Sequence, residues 1–200
     1  MNLHYPQSEK LPVAIAAFAV EGERIAIRFP GMEVVNVVTG IGKANAAMAI
    51  TEACLRHNPA FVVNIGTAGT FAHSVGDIIV SRHFIDRDLA STALPGVVAE
   101  IKGNLALPFR LSSKIACGRN TDDLTISTGD DFVTEGECPG ADVVDMEAFA
   151  EALVCHRFGI PFVSVKYVTD VIGQNSTELW AEKLEAAREG LALHFEKIEY

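Results

Sequence analysis

The segment FVSVKYVTDV, Phe162–Val171, reads as a buried strand that carries Thr169 and Asp170 to its end. A carboxylate in so apolar a run is a candidate acid, because desolvation favours its neutral form. In VVDMEAFAEALVCH, Asp145 and Glu147 flank Met146 where an apolar run meets a helix. Such a pair either stabilises the helix N-terminus through its dipole or holds adjacent sugar hydroxyls while the thioether packs on the sugar's apolar face. GTAGT, Gly66–Thr70, ends another strand in small residues; its N–H groups and the Thr67 hydroxyl suit a hydroxyl, carboxylate or phosphate, or the turn is simply a loop needing positive φ. TGIGK, Thr39–Lys43, lacks the Walker spacing. Asn45 stands where a dinucleotide fingerprint has its third glycine, so a tight turn into a helix is the plainer reading.

These residues need a scaffold that brings strand ends together. Apolar runs at Val13–Val20, Val34–Gly40, Phe61–Gly66, Asp77–Ile85, Asp123–Gly129 and Pro161–Val168 are largely continuous rather than alternating, as in strands covered on both faces. Helix patterns separate several of them. IGKANAAMAITEACLRHNPA is closed by Asn58-Pro59, and MEAFAEALVCHRFGIP spaces Met146, Phe149, Ala150, Leu153, Val154 and Phe158 helically, with Gly159 as its cap. The C-terminal STELWAEKLEAAREGLALHFEKI is a further amphipathic helix, with Ser176 as N-cap and Leu179, Leu184, Ala187, Leu191 and Phe195 toward the core. A sheet between helices follows, with ligands expected beyond the carboxyl ends of its strands.

The 200 residues, 49% of them hydrophobic, suit one domain over 1–200. A net charge of -10 leaves no basic surface for phosphate backbones, which argues against nucleic acid and for a small substrate. Cys54, Cys117, Cys138 and Cys155 form no C-x-x-C pair and have no histidine at ligand spacing, so reduced cytoplasmic thiols are expected and no metal. KLPVAIAAFAVEGE resembles a short signal peptide, but its run ends in charge and also reads as a first strand. No apolar run reaches the ~20 residues of a membrane span.

Taken in order, TGIGK, NIGTAGTF with VGDIIVS, STGDDFV and VVDMEAFAEALVCHRFGIPFVSVKYVTDV resemble the signature segments of the nucleoside phosphorylase and nucleosidase superfamily. Within it they are most similar to the methylthioadenosine/S-adenosylhomocysteine nucleosidases, over most of Thr39–Val171. The resemblance implies an α/β three-layer sandwich: a central, mostly parallel mixed sheet flanked by helices. It implies hydrolysis of a purine nucleoside, no cofactor, and a homodimer or larger homo-oligomer.

Position by position, the family's GSAGG corresponds to Gly66–Thr70, so Thr67, Ala68 and Gly69 line the ribose side. SGDAFI matches Thr128–Val133, so Phe132 stacks on the purine and the Val133 backbone meets its edge. VEMEA matches Val144–Ala148: Met146 packs under the ribose, Glu147 binds its hydroxyls, and Asp145 replaces a glutamate. SDV matches Thr169–Val171 and makes Asp170 the acid that protonates purine N7, which removes the leaving group's charge. Aspartate also suits a 6-amino base. Aligning IAAFAVE with the family's IGAMEEE assigns water activation to Glu21, with Glu23 as the alternative, and brings Phe18, like Ile41 of TGIGK, to the substrate.

Phosphorylases of this superfamily carry an arginine at the position of Asn64, and a neutral amide cannot give phosphate the same bidentate charged contact. Hydrolysis is therefore expected. Phosphorolysis through Arg82, Arg87, Arg110 or Arg119 is the second reading, and a non-catalytic nucleoside-binding module the third. Trp180 is either a lid over the pocket or a core residue. The chain is shorter than the family pattern between Glu21 and TGIGK and compact over Leu89–Asp123, which leaves the 5′ group open.

Overall fold

The computed structural model describes residues 10–90, 92, 94–116, 124–136, 138–174, 176–198 and 200, the side chains of 176–179 excepted. The expectations for Cys117, Arg119, Asp123 and the side chains of Ser176 and Leu179 lie outside the described residues. In chain order the elements are β1 (Val13–Phe18), a 3-10 turn (Glu21–Glu23), β2 (Glu33–Val38), α1 (Lys43–His57), β3 (Phe61–Thr70), β4 (Ile78–Ser81), β5 (His83–Asp86), a short α2 (Arg87–Ala90) and β6 (Glu100–Lys102). Then come β7 (Thr125–Thr128), β8 (Val143–Asp145), α3 (Ala148–Phe158), β9 (Phe162–Val171) and α4 (Ser176–Phe195).

All nine strands form one sheet in the order β2-β1-β3-β8-β7-β5-β6, with β9 laid against β3 and β4. The pairs β1–β2, β1–β3, β3–β9, β5–β7 and β7–β8 are parallel; β3–β8, β4–β9 and β5–β6 are antiparallel. The expected mixed, mostly parallel sheet is therefore observed. Two apolar cores explain the unbroken hydrophobic runs. Along β1, Ile15 and Ala17 join the core beneath α1 and α3, whereas Ala14, Ala16 and Phe18 join the opposite core with Leu191 and Phe195 of α4. Alternate residues thus face opposite helical layers and both sets must be apolar.

The helix stops follow their chemistry. Asn58 at φ 45° ends α1 and Gly159 at φ 68° ends α3, both in the left-handed region that suits these residue types. Two expectations shift. The run Asp77–Ile85 is broken at Arg82 into β4 and β5, which pair with different neighbours. Met146 lies before α3 rather than in it, because the chain leaves β8 at Asp145 and turns helical only at Ala148. That turn frees Met146 to enter a pocket.

Candidate active site

Strand ends, turns and helix starts converge on one cavity, about 790 Å³ including its open mouth. Its wall combines Ile41, Thr67, Ala68, Gly69, Phe132 and Val133 with Met146, Glu147 and Asp170, all named by the sequence. Glu21 and Phe18 are not brought there. Glu21 is 69% exposed and pairs with Arg24 at 3.0 Å, while Phe18 is fully buried in the core beneath α4. The reason is local: β1 ends at Phe18, Ala19 and Val20 cross the pocket wall, and the 3-10 turn then swings Glu23 inward and Glu21 outward.

Glu23 is buried, and its Oε1 accepts hydrogen bonds from the Thr67 N–H at 2.8 Å and the Thr67 hydroxyl at 2.6 Å. Gly66 permits this approach, since a Cβ there would lie 3.0 Å from both carboxylate oxygens. The Trp180 indole N–H donates to Thr67 Oγ1 at 2.8 Å, so Trp180 reaches the pocket from α4. Trp180, Thr67 and Glu23 thus form one chain that leaves Glu23 Oε2 buried without a partner. A buried acceptor with nothing to accept from is a position for a water or ligand proton.

Asp170 offers a second such atom. Between β3 and β9 the register passes from Ala68 opposite Val168 to Gly69 opposite Asp170, so Thr169 is an extra residue, a bulge that re-aims the strand end. Thr169 Oγ1 donates to Asp170 Oδ1 at 2.8 Å, and Oδ2 is buried with no partner. Gly69 again makes the space, because a Cβ there would meet Asp170 Oδ2 at 3.0 Å and Ile172 at 2.7 Å.

The two carboxylates around Met146 separate by role. Asp145 is fully engaged: its Oδ1 accepts from the Thr128 hydroxyl at 2.5 Å, and its Oδ2 from the Ala148 N–H and from Lys166 Nζ, each at 2.9 Å. It caps the entry to α3 and neutralises a fully buried lysine. Glu147 lines the pocket and accepts the Gly42 N–H at 3.0 Å. Gly42 sits at φ 94°, a conformation that gives the TGIGK turn its use here, as a donor to this carboxylate rather than to phosphate. Burial and the neighbouring Asp145 push Glu147 up to about 7, against the pull of Lys166 and the Gly42 N–H. Deeper in α3, burial pushes Glu151 up to about 8, against the pull of Lys166 and the neighbouring Asn64 amide.

Arg87 is the one cation in the pocket wall among the described residues. Every N–H of its guanidinium is taken. Nη1 donates to the carbonyls of Ser127 at 3.1 Å and Asp145 at 2.9 Å; Nε and Nη2 donate to Asp131 Oδ1 at 3.1 and 2.9 Å, and Nη2 also to the Asp131 carbonyl. Asn64 faces the interior, where its Oδ1 accepts the Ser164 hydroxyl at 2.6 Å.

A family model described as the phosphorylase superfamily matches residues 8–198. The chain belongs to this superfamily. Among relatives of this phosphorylase-superfamily chain, a 5′-methylthioadenosine/S-adenosylhomocysteine nucleosidase of Geobacillus thermodenitrificans is 35% identical over 179 residues, 80% of this chain and 76% of the relative. The solved nucleosidase of that name from Colwellia psychrerythraea, in complex with adenine, superposes with a TM-score of 0.71 at 26% identity over 93% of each chain. Futalosine hydrolase of Helicobacter pylori shares the fold, with a TM-score of 0.77 at 17% identity over 93% of this chain and 96% of that one.

Sequence reasoning ranked Glu23 below Glu21 and left out Val20, Asp131, Val144 and Ile172. Nothing in the E-G-E triplet itself ranks Glu23 above Glu21. A Cβ at Gly22 would meet Leu184 of α4 at 2.8 Å, so the middle residue must face the helix and its neighbours must diverge.

Proposed function

We propose that this chain hydrolyses the N-glycosidic bond of adenine nucleosides, with 5′-methylthioadenosine and S-adenosylhomocysteine as first substrates. The observation that carries this reading is the pair of buried, unpartnered carboxylate oxygens, Glu23 Oε2 and Asp170 Oδ2, on one cavity wall. Phe132 stacks on the purine, Met146 packs under the ribose and Glu147 accepts from its 2′ and 3′ hydroxyls. As the C1′–N9 bond breaks, its electron pair passes to the purine, which takes a proton at N7 from Asp170. Water, oriented by Glu23, adds to the oxocarbenium-like C1′ and loses its proton to that carboxylate. The Trp180–Thr67 chain supports this orientation by occupying Glu23 Oε1.

Water is favoured over phosphate because, among the described residues, the wall offers no available cation. Arg87 is saturated, and Lys43 is bonded to Asp86 at 2.8 Å and Asp88 at 2.6 Å. Lys166 is bonded to Asp145. The decisive measurement is adenine release with phosphate rigorously removed and then restored. Release at full rate without phosphate, yielding the free sugar, is expected; strict dependence on phosphate would overturn the hydrolytic reading.

The chain is further proposed to act in the cytoplasm as a homodimer. Ile41 is 47% exposed while also lining the pocket, and Met48 and Leu55 continue its apolar stripe along α1. A second copy covering this face accounts for the stripe, and light scattering should give the mass of two chains.

A further inference from the structure

The loop that carries Phe132 has little packing of its own, since Phe132 is 43% exposed and Asp131 73%. An aromatic ring on a free loop loses entropy when it orders against a base. We infer that the Arg87–Asp131 pair is the device that holds Phe132 in its stacking position, making Arg87 a positioning residue for the nucleoside base. This rests on the nucleoside reading above and names a part of the site that the sequence motifs do not assign.

Three observations support it. Arg87 ties three segments together, because its donors reach Asp131 in the Phe132 loop, the Ser127 carbonyl of β7 and the Asp145 carbonyl of β8. Its position is tightly built: a Cβ at Gly129 would lie 2.5 Å from Arg87 Nε, so only glycine lets the guanidinium cross there. The same collar is fastened on its other side, where Asp88 accepts the Asp130 N–H at 3.1 Å and Asp130 accepts the Lys43 N–H at 2.7 Å.

The two halves are unequal. Asp131 is exposed and its ion pair is screened, so its removal has a small effect. Arg87 is largely covered, and the carbonyls of Ser127 and Asp145 lose a charged donor when it goes.

The test measures kcat and KM together with adenine affinity from the fluorescence of Trp180, the single tryptophan, which lines the pocket. Asp131→Ala is expected to raise KM and the adenine Kd about threefold, with kcat within about twofold and Tm unchanged. Arg87→Met and Gly129→Ala should each raise KM about tenfold or more, with Arg87→Lys intermediate because an ammonium cannot span the four acceptor atoms. Should Arg87→Met fail to fold, Asp131→Ala and Gly129→Ala decide alone. Variants that lower Tm or kcat while KM and adenine affinity stay at wild-type values would make Arg87 merely structural and overturn the inference. If wild-type protein binds no adenine, the nucleoside reading itself fails and the inference falls with it; normal wild-type binding with unaltered variants sinks the inference alone.

Discussion

The floor of the pocket and its rim are built on different principles. At the floor, Glu23, Asp145, Glu147 and Asp170 are all buried, and their backbones belong to strand ends or to tight turns beside them. At the rim, Phe132, Asp131 and Ile41 stand on loops and are largely exposed. Charged groups at the floor gain strong mutual interactions from the low dielectric and pay a desolvation cost for being there. Rim groups pay little and gain little. Floor substitutions should therefore change the chemical step, and rim substitutions the affinity.

The largest effect expected is on the floor. Asp170→Asn and Glu23→Gln should each lower kcat at least about a hundredfold with the fold intact, whereas Glu21→Gln should stay within about twofold. A full-rate Glu23→Gln enzyme would return water activation to an open question. Glu147→Gln should cost about a hundredfold through lost positioning of the ribose. On the proposed reading Glu147 is ionised to accept from both ribose hydroxyls, and since it sits near 7, kcat/KM of the wild type should fall as pH drops below about 7. That acid limb should vanish from the residual activity of the Gln variant. At the rim, Phe132→Leu should raise KM about tenfold with kcat nearly unchanged, the cost of a lost aromatic stack. Trp180→Phe keeps the ring contact but deletes the bond to Thr67, and about a threefold loss is expected.

Stability supplies the smallest and most direct probe. Burial raises the Glu151 carboxyl in the folded protein from its ordinary value of 4.5 to about 8. Between those values the folded state binds a proton that the unfolded state has released, so stability falls as pH rises through this window. Glu151→Gln removes the effect, and its Tm should decline less than that of wild type between pH 5 and 8. Parallel declines would mean that this carboxyl is not held neutral by the core.

Much of the fold was legible because strands sandwiched between helices need apolar residues on both faces, and six such runs stand out in the sequence. GTAG, DMEA and TDV were legible only as a set in order, through their resemblance to the superfamily's segments, since each alone has a plain structural reading. The displacement of Glu21 from the pocket has a definite source. Counting forward from the apolar run gives no sense of where β1 stops, and the orientation of the E-G-E turn is set by Leu184 in the last helix. Arg87 was named only as a phosphate-binding arginine, and its pairing with Asp131 escaped for a similar reason: it joins the start of α2 to a loop 44 residues on, and neither side chain is unusual where it stands. Lys166, an apparent interruption in an apolar strand, is explained only by Asp145 on another strand.

The span of these contacts bears on how the protein reaches its working form. Gly42 meets Glu147 across 105 residues, and Trp180 meets Thr67 across 113. Contacts so distant in sequence are costly to close and form late. No nascent chain that lacks α4 can fasten Thr67 to its indole, so recovery of catalysis after dilution from denaturant should trail the return of secondary structure.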